Sequence, residues 1–171
     1  HGLHLFKSED HGDTWQWIDT PLIPGNESKV VELSDGSWMV NCRLNRKGHR
    51  QIYISKDEGK TWASRADYSL VDPGCNAGII RFPDEKSNLE KGILLFVNAN
   101  HKTLRKNLTL KISKDDGETW SAEKTIYKGP AAYAALSLLE NGDLGIIFEK
   151  DDYTQNSFVR LPKDQILSLL E

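Results

Sequence analysis

Through much of the chain, apolar and polar residues alternate with a period of two, the spacing of a strand with one buried face. Gln51–Ile54 and Leu108–Ile112 alternate in this way. Lys29–Leu33 and Trp38–Arg43 lie on either side of Ser34-Asp35-Gly36, and Leu136–Leu139 and Leu144–Phe148 flank Glu140-Asn141-Gly142-Asp143. Asp-Gly and Asn-Gly between apolar runs signal hairpins, because glycine takes the positive φ that a tight turn needs. Leu3–Lys7 and Ile79–Phe82 read as further strands, Ile93–Val97 as an almost wholly apolar inner strand, and the charged Pro83–Gly92 as a hairpin loop. The pattern predicts an all-β chain, mostly antiparallel, in units of four short strands. Only the tail differs. Ile166, Leu167 and Leu170 fall on one side of Pro162–Glu171 and predict a short helix docked on the sheets.

One octamer recurs between these strands: Ser8-Glu9-Asp10-His11-Gly12-Asp13-Thr14-Trp15, Ser55-Lys56-Asp57-Glu58-Gly59-Lys60-Thr61-Trp62 and Ser113-Lys114-Asp115-Asp116-Gly117-Glu118-Thr119-Trp120. Ser, Asp, Gly, Thr and Trp keep their offsets while the positions between them drift among charged residues. The Asp can accept from nearby backbone N–H groups, the Gly suits a positive φ, and the Trp is expected to fold its indole under the turn as a small local core. Three equivalents argue for a structural turn and against Asp57 as a catalytic or calcium-binding carboxylate, since one site does not need three. The copies start at residues 8, 55 and 113, 47 and then 58 residues apart. A repeat of roughly 40–50 residues with several strands is the mark of a propeller blade, and the chain holds about three and a half such repeats. Propellers close with typically 4–8 blades. Residues 1–171 are therefore expected to be one partial propeller, the C-terminal portion of a larger domain with its N-terminal half as partner.

Composition narrows the function. There are 22 basic and 25 acidic residues, interspersed, for a formal charge of −3, which gives no electrostatic case for nucleic acid or an anionic membrane. No apolar run reaches the roughly 18 residues of a membrane span. Cys42 and Cys75 sit in apolar surroundings without metal-ligand spacing and read as two buried thiols. The five histidines form no group, so neither metal nor other cofactor is assigned.

The candidate chemistry lies at strand ends. Glu27 falls where a Pro-broken loop, residues 21–27, feeds a strand, and Arg43 ends the next one, 16 residues later. Inner propeller strands line the central channel, so both can meet there. Arg105 closes the polar segment 98–105. Tyr133 stands as one large polar aromatic among the small residues of Gly129-Pro130-Ala131-Ala132-Tyr133-Ala134-Ala135, and Glu149 follows the strand that ends at Phe148. Each alone has an ordinary explanation: a solvated acid, a surface ion pair, a packed aromatic, or a member of the acidic run with Asp151 and Asp152.

Together with the octamers, the ordered series Glu27, Arg43, Arg105, Tyr133, Glu149 resembles the microbial sialidases (neuraminidases), whose Asp box the octamer matches. The resemblance covers Phe6 to about Glu149. It implies a six-bladed propeller when complete, and an exo-sialidase that removes terminal sialic acid from glycans with retention through a tyrosyl intermediate. It implies Tyr133 as nucleophile, Glu27 as its base, Arg43 and Arg105 as two of three arginines clamping the substrate carboxylate, and Glu149 as the carboxylate steadying the first arginine. Asp72-Pro73-Gly74-Cys75 resembles a stretch lining the side of that pocket. The family's first arginine and its acid/base aspartate have no counterpart in Gly2–Ser8, so the chain alone is expected to be inactive. A non-catalytic Asp-box propeller that binds glycans or proteins, and a trans-sialidase, are the alternatives. Asn26-Glu27-Ser28 and Asn107-Leu108-Thr109 fit the N-glycosylation pattern, and a glycan on Asn26 would obstruct Glu27. That predicts a bacterial source that exports the protein to the periplasm, cell surface or medium.

Overall fold

The structure, a computed structural model, describes residues 2–83 and 92–170. Most of the expected Pro83–Gly92 hairpin loop lies outside the described residues. The described residues form twelve strands: β1 (Leu3–Lys7), β2 (Gln16–Leu22), β3 (Ser28–Glu32), β4 (Trp38–Cys42), β5 (Gly48–Ser55), β6 (Ala63–Asp72), β7 (Gly78–Phe82), β8 (Ile93–Ala99), β9 (Lys106–Ser113), β10 (Ala122–Leu138), β11 (Leu144–Lys150) and β12 (Gln155–Leu161). Every strand pairs antiparallel with its neighbour in sequence, giving sheets β1-β2, β3-β4-β5-β6 and β7 through β12. The tail forms the expected helix, α1 (Lys163–Leu167), running into a short 3-10 turn at Ser168–Leu170. Ile166 is fully buried against the last sheet.

Four strands per unit holds for two of the units. β10 is long, at 17 residues. Its first part, through Pro130, pairs with β9, and its second, from Ala131, pairs with β11. The six-stranded sheet is thus a four-stranded and a three-stranded unit joined along one strand. The segment 129–135 therefore belongs to a strand, with Pro130 at the changeover where it interrupts neither ladder. Pro21 is also in a strand, β2, where a loop was expected. It lies beside the register shift between Leu3 and Leu5, in a strand with a partner on one side only, where a missing N–H is tolerated.

The units pack face to face through three clusters. Leu22, Val40, Cys42 and Tyr53 fill the first space, between β1-β2 and β3–β6. Val31, Met39, Ile52, Leu70, Ile79, Leu94 and Phe96 fill the second, and Phe82, Ile93, Leu95, Val97, Leu110, Ile112, Leu144 and Ile146 the third. Residues of β8 alternate between the second and third clusters, which is why Ile93–Ala99 is buried throughout. Each such side chain contributes about 1.5–3 kcal/mol by leaving water. Cys42 and Cys75 are buried and free, and burial pushes the Cys75 thiol up to about 12.

The octamers close the β1-β2, β5-β6 and β9-β10 hairpins. In the second, Asp57 accepts from Thr61 N at 2.8 Å and Thr61 Oγ1 at 2.6 Å, Ser55 Oγ accepts from Gly59 N at 2.7 Å, and Trp62 Nε1 donates to Gly59 O at 3.0 Å. The first and third repeat the Asp–Thr and Ser–Gly bonds. Two residues in each are left-handed, the glycine and the residue before it: His11, Glu58 and Asp116 at φ 57°, 58° and 56°. The expected local Trp core does not form uniformly. Trp15 is 64% exposed, Trp62 packs with the first cluster, and Trp120 packs with the second and stacks with Phe96. These turns interlock the units instead: Asp116 accepts from Ser34 N at 3.1 Å and Arg81 Nη2 at 2.6 Å, and Thr20 Oγ1 donates to Gly59 O at 2.5 Å.

Candidate active site

At the strand ends away from the octamers, the five sequence-predicted site residues come together. Glu27 precedes β3 and Arg43 follows β4. The register Ser28–Cys42 sets them opposite each other, and Arg43 N donates to Glu27 O at 3.1 Å. Asn26 fixes the loop, its side-chain oxygen accepting from Glu27 N at 2.7 Å while its amide donates to Asn45 Oδ1 at 3.2 Å. Arg43 Nη1 then donates to Glu27 Oε2 and, at 2.9 Å, to Tyr133 Oη.

Tyr133 comes from the far side of the site, on β10, in the register shift between Ala131 and Ala134. Such an irregularity re-aims a side chain. Its N–H leaves the ladder and donates to Glu149 Oε2 of β11 at 3.0 Å. Its hydroxyl donates to Glu27 Oε1 at 2.5 Å. Ala131, Ala132 and Ala134 are buried around it, and their small side chains leave the ring room. Glu149 thus holds the backbone of Tyr133.

Arg105 precedes β9, and its carbonyl accepts from Ala131 N at 2.9 Å, which ties it to the Tyr133 strand. Its guanidinium carbon lies 5.4 Å from the Tyr133 ring centre and 5.9 Å from that of Tyr153, Nη1 donates to Tyr153 Oη at 2.5 Å, and Nη2 donates to Gly74 O at 3.2 Å. Tyr153 was not among the expected residues. It sits at the β11-β12 turn in the last of three consecutive left-handed residues, Asp151, Asp152 and Tyr153. A cavity of about 260 Å³ opens here, lined by Arg105, Pro130, Ala132, Glu149 and Tyr153 among others.

The electrostatics follow from these contacts. Burial pushes the Glu27 carboxyl up, but hydrogen bonds from Tyr133 and Arg43 and the nearby guanidinium charges outweigh it, leaving it below the usual glutamate value. The Glu27 hydrogen bond, helped by burial, pushes the Tyr133 phenol above its usual value, against the pull of Arg43. The proton therefore rests on Tyr133 with an ionised acceptor in contact. The Glu27 side chain is 36% exposed and that of Arg43 15%, so the pair stands at a mouth and not in the core. Arg43 Nε is buried with no acceptor among the described residues.

A second group, of which the sequence marked only the 72–75 turn, lies beneath. Arg50 and Asp72 form an ion pair at 3.3 Å, with side chains 1% and 0% exposed. Arg50 also donates to Asn41 Oδ1 at 2.7 Å and Cys75 O at 2.8 Å, while Asp72 accepts from Gly74 N at 2.8 Å, Cys75 N at 3.0 Å and Asn98 Nδ2 at 3.1 Å. This network fixes the 72–75 turn that holds Arg105 and the end of β4 that carries Arg43. An arginine at an alternating strand position reads as solvent-facing, so no signal in the sequence marked it.

The chemistry available here is proton transfer from a phenol to a carboxylate, within a rim of guanidinium groups suited to an anion. The BNR repeat-like domain family matches residues 1–146. A sialidase of Micromonospora viridifaciens is 38% identical over 146 residues, covering 83% of this chain and 23% of the relative. A sialidase of Bacteroides fragilis is 34% identical over 150 residues, 85% of this chain and 28% of the relative. The structure of the Hadza microbial sialidase Hz136 superposes with a TM-score of 0.78 at 30% identity, over 92% of this chain and 31% of that one. The chain spans about a quarter of the length of the relatives it matches. It belongs to the BNR repeat-like family, among relatives that are sialidases.

Proposed function

We propose that this chain is part of the catalytic β-propeller of a bacterial exo-sialidase, acting outside the cytoplasm on sialylated glycans. The observation that carries this reading is the phenol of Tyr133, 2.5 Å from Glu27 and 2.9 Å from Arg43. The anomeric carbon of a sialic acid bears a carboxylate, so an anionic nucleophile is repelled as it approaches. A neutral phenol is not, and sialidases depart from the two-carboxylate rule of glycosidases for that reason. Glu27 accepts the phenolic proton as the Tyr133 oxygen bonds to the anomeric carbon. The Arg43 and Arg105 guanidinium groups pair with the substrate carboxylate, and Glu149 keeps the Tyr133 backbone in place. Attack by Tyr133 and then by water gives two inversions, hence retention.

Glu27 and Glu149 are both engaged with Tyr133, so neither is placed to protonate the leaving oxygen. We assign that acid, a third arginine and the remaining blades of a six-bladed ring to polypeptide beyond these 171 residues. General acid–base help contributes about 10²–10⁴-fold, so the chain alone should bind sialosides weakly and not turn them over. In the complete enzyme, Tyr133→Phe should abolish covalent trapping by a fluorinated sialic acid at nearly unchanged stability. Undiminished turnover of a fluorogenic sialoside by that variant, or clear turnover by the chain on its own, would overturn the assignment.

A further inference from the structure

Next to the guanidinium rim lies a second cavity of about 660 Å³, between the residues after β4, the turn after β6 and the loop before β9. Arg43, Arg46, Lys102 and Arg105 line it with Asn45, Pro73, Gly74 and Thr103, and no carboxylate among the described residues does. In a chain with slightly more acidic than basic residues, four cations line this one cavity, and only Arg43 among them has an ionic partner among the described residues, Glu27. Arg43 is engaged by Glu27 and Tyr133, and Arg105 by Tyr153 and Gly74. Arg46 and Lys102 are exposed, and neither has an ionic or hydrogen-bond partner among the described residues.

The loops that carry these two cations are braced. Gly74, at φ +83°, packs closely on the Arg46 segment: an added Cβ would meet Arg46 N at 3.1 Å and Leu44 O at 3.2 Å, tight backbone contacts in a conformation that side chains rarely adopt. Gly48, at φ +79°, lies next to Lys102, where an added Cβ would be in ordinary van der Waals contact at 3.7 Å. His101 Nδ1 accepts from Thr103 N at 3.1 Å and Leu104 N at 2.9 Å, closing the Lys102 loop on itself. The backbone that presents the charges is therefore set before any ligand arrives, which lowers the ordering cost of binding.

We propose that this cleft is a subsite for a second negative charge on the same glycan, so that the preferred substrate is a sialoside carrying a further carboxylate or sulfate ester. The proposal rests on the sialidase reading for the first charge. One carboxylate occupies Arg43 and Arg105 from the Tyr133 side, and the second anion, on the neighbouring sugar, meets Arg46 and Lys102 across the same two arginines.

The test uses the full-length protein carrying Tyr133→Phe, so that the glycans are not turned over, and direct binding, with three glycans: sialyllactose, the same glycan carrying one sulfate ester, and an α2,8-linked disialyl glycan. One or both of the doubly charged glycans should bind about tenfold more tightly than sialyllactose at low ionic strength, an advantage that high salt removes. The double variant Arg46→Ala, Lys102→Ala should lose that advantage while its affinity for sialyllactose stays within about twofold. A gain for only one of the two doubly charged glycans identifies the source of the second anion. Equal binding of all three glycans, or an advantage that survives in the double variant, overturns the proposal. If no sialylated glycan binds but inorganic sulfate does, and needs Arg46 and Lys102, the cleft stands as an anion site and the sialidase reading falls.

Discussion

Tyr133 and Glu27 shift in opposite directions because each holds the other in its resting form. The carboxylate accepts the phenolic proton in a hydrogen bond, which raises the phenol and lowers the acid. Glu27→Gln removes the main influence that raises Tyr133, so the phenol should ionise at lower pH in the variant, read by ultraviolet titration, and turnover should fall by about 10²–10⁴. A Tyr133 that titrates at the same pH in both proteins would exclude the coupling. The depressed carboxyl also sets the acid side of the pH response. Glu27 contributes to stability above the usual glutamate value, and loses that contribution, and with it the base role proposed for it, as pH falls through its depressed folded-state value. The acid limb of activity should thus lie below the ordinary glutamate range. Glu27, Arg43, Arg105 and Tyr133 stood at strand ends or among small neighbours, but each alone had an ordinary explanation, and it was the resemblance to the microbial sialidases that grouped them. Tyr153 was not legible, since its place depends on three left-handed residues in a turn whose sequence reads only as acidic.

Among the elements, the octamers show how far one motif determines its surroundings. Its internal bonds repeat in all three copies, but burial differs. Ser113 is fully buried and its Oγ takes the N–H of buried Gly117 at 2.8 Å, whereas Ser8 makes the same bond to exposed Gly12. Ser113→Ala strands a buried donor and should cost about 1–3 kcal/mol. Ser8→Ala, with water at hand, should cost clearly less. Denaturant midpoints of the two variants decide it, and equal losses would mean that burial is not the controlling difference. Hydrogen bonds from Thr14 and Thr61 lower Asp10 and Asp57 to about 2, so these two turns lose their contribution only as pH falls from the unfolded carboxylate range towards that value. Most strands and hairpins were readable from period and Asp-Gly or Asn-Gly signals, but β2, β6 and β12 were not read as strands. β10 was not read as one strand, because Gly129 and Pro130 read as a break, while the structure passes the strand from one ladder to the next at that point.

At the scale of the molecule, one buried cation coordinates parts that lie far apart in sequence. Arg50 reaches β4, the turn after β6 and, through Asp72, Asn98 of β8. Arg50→Met leaves the Asp72 charge buried without its partner and should cost about 3–5 kcal/mol, measured by equilibrium unfolding. A loss under 1 kcal/mol would show that Asn98 and the turn N–H groups satisfy Asp72 by themselves. The strand ladders join neighbours in sequence throughout, so each hairpin can form on its own. The contact between Tyr133 and Glu27 spans 106 residues, and it can form only after the sheets between them have stacked. Contacts that close long loops are made late, because the chain pays the closure entropy before it gains the contact. In time, then, the site is expected to be the last part of the molecule to appear. During refolding, capacity to bind a sialic acid analogue should return in the slowest phase, after the far-ultraviolet signal of the strands. Recovery of both in a single phase would mean that sheets and site assemble together.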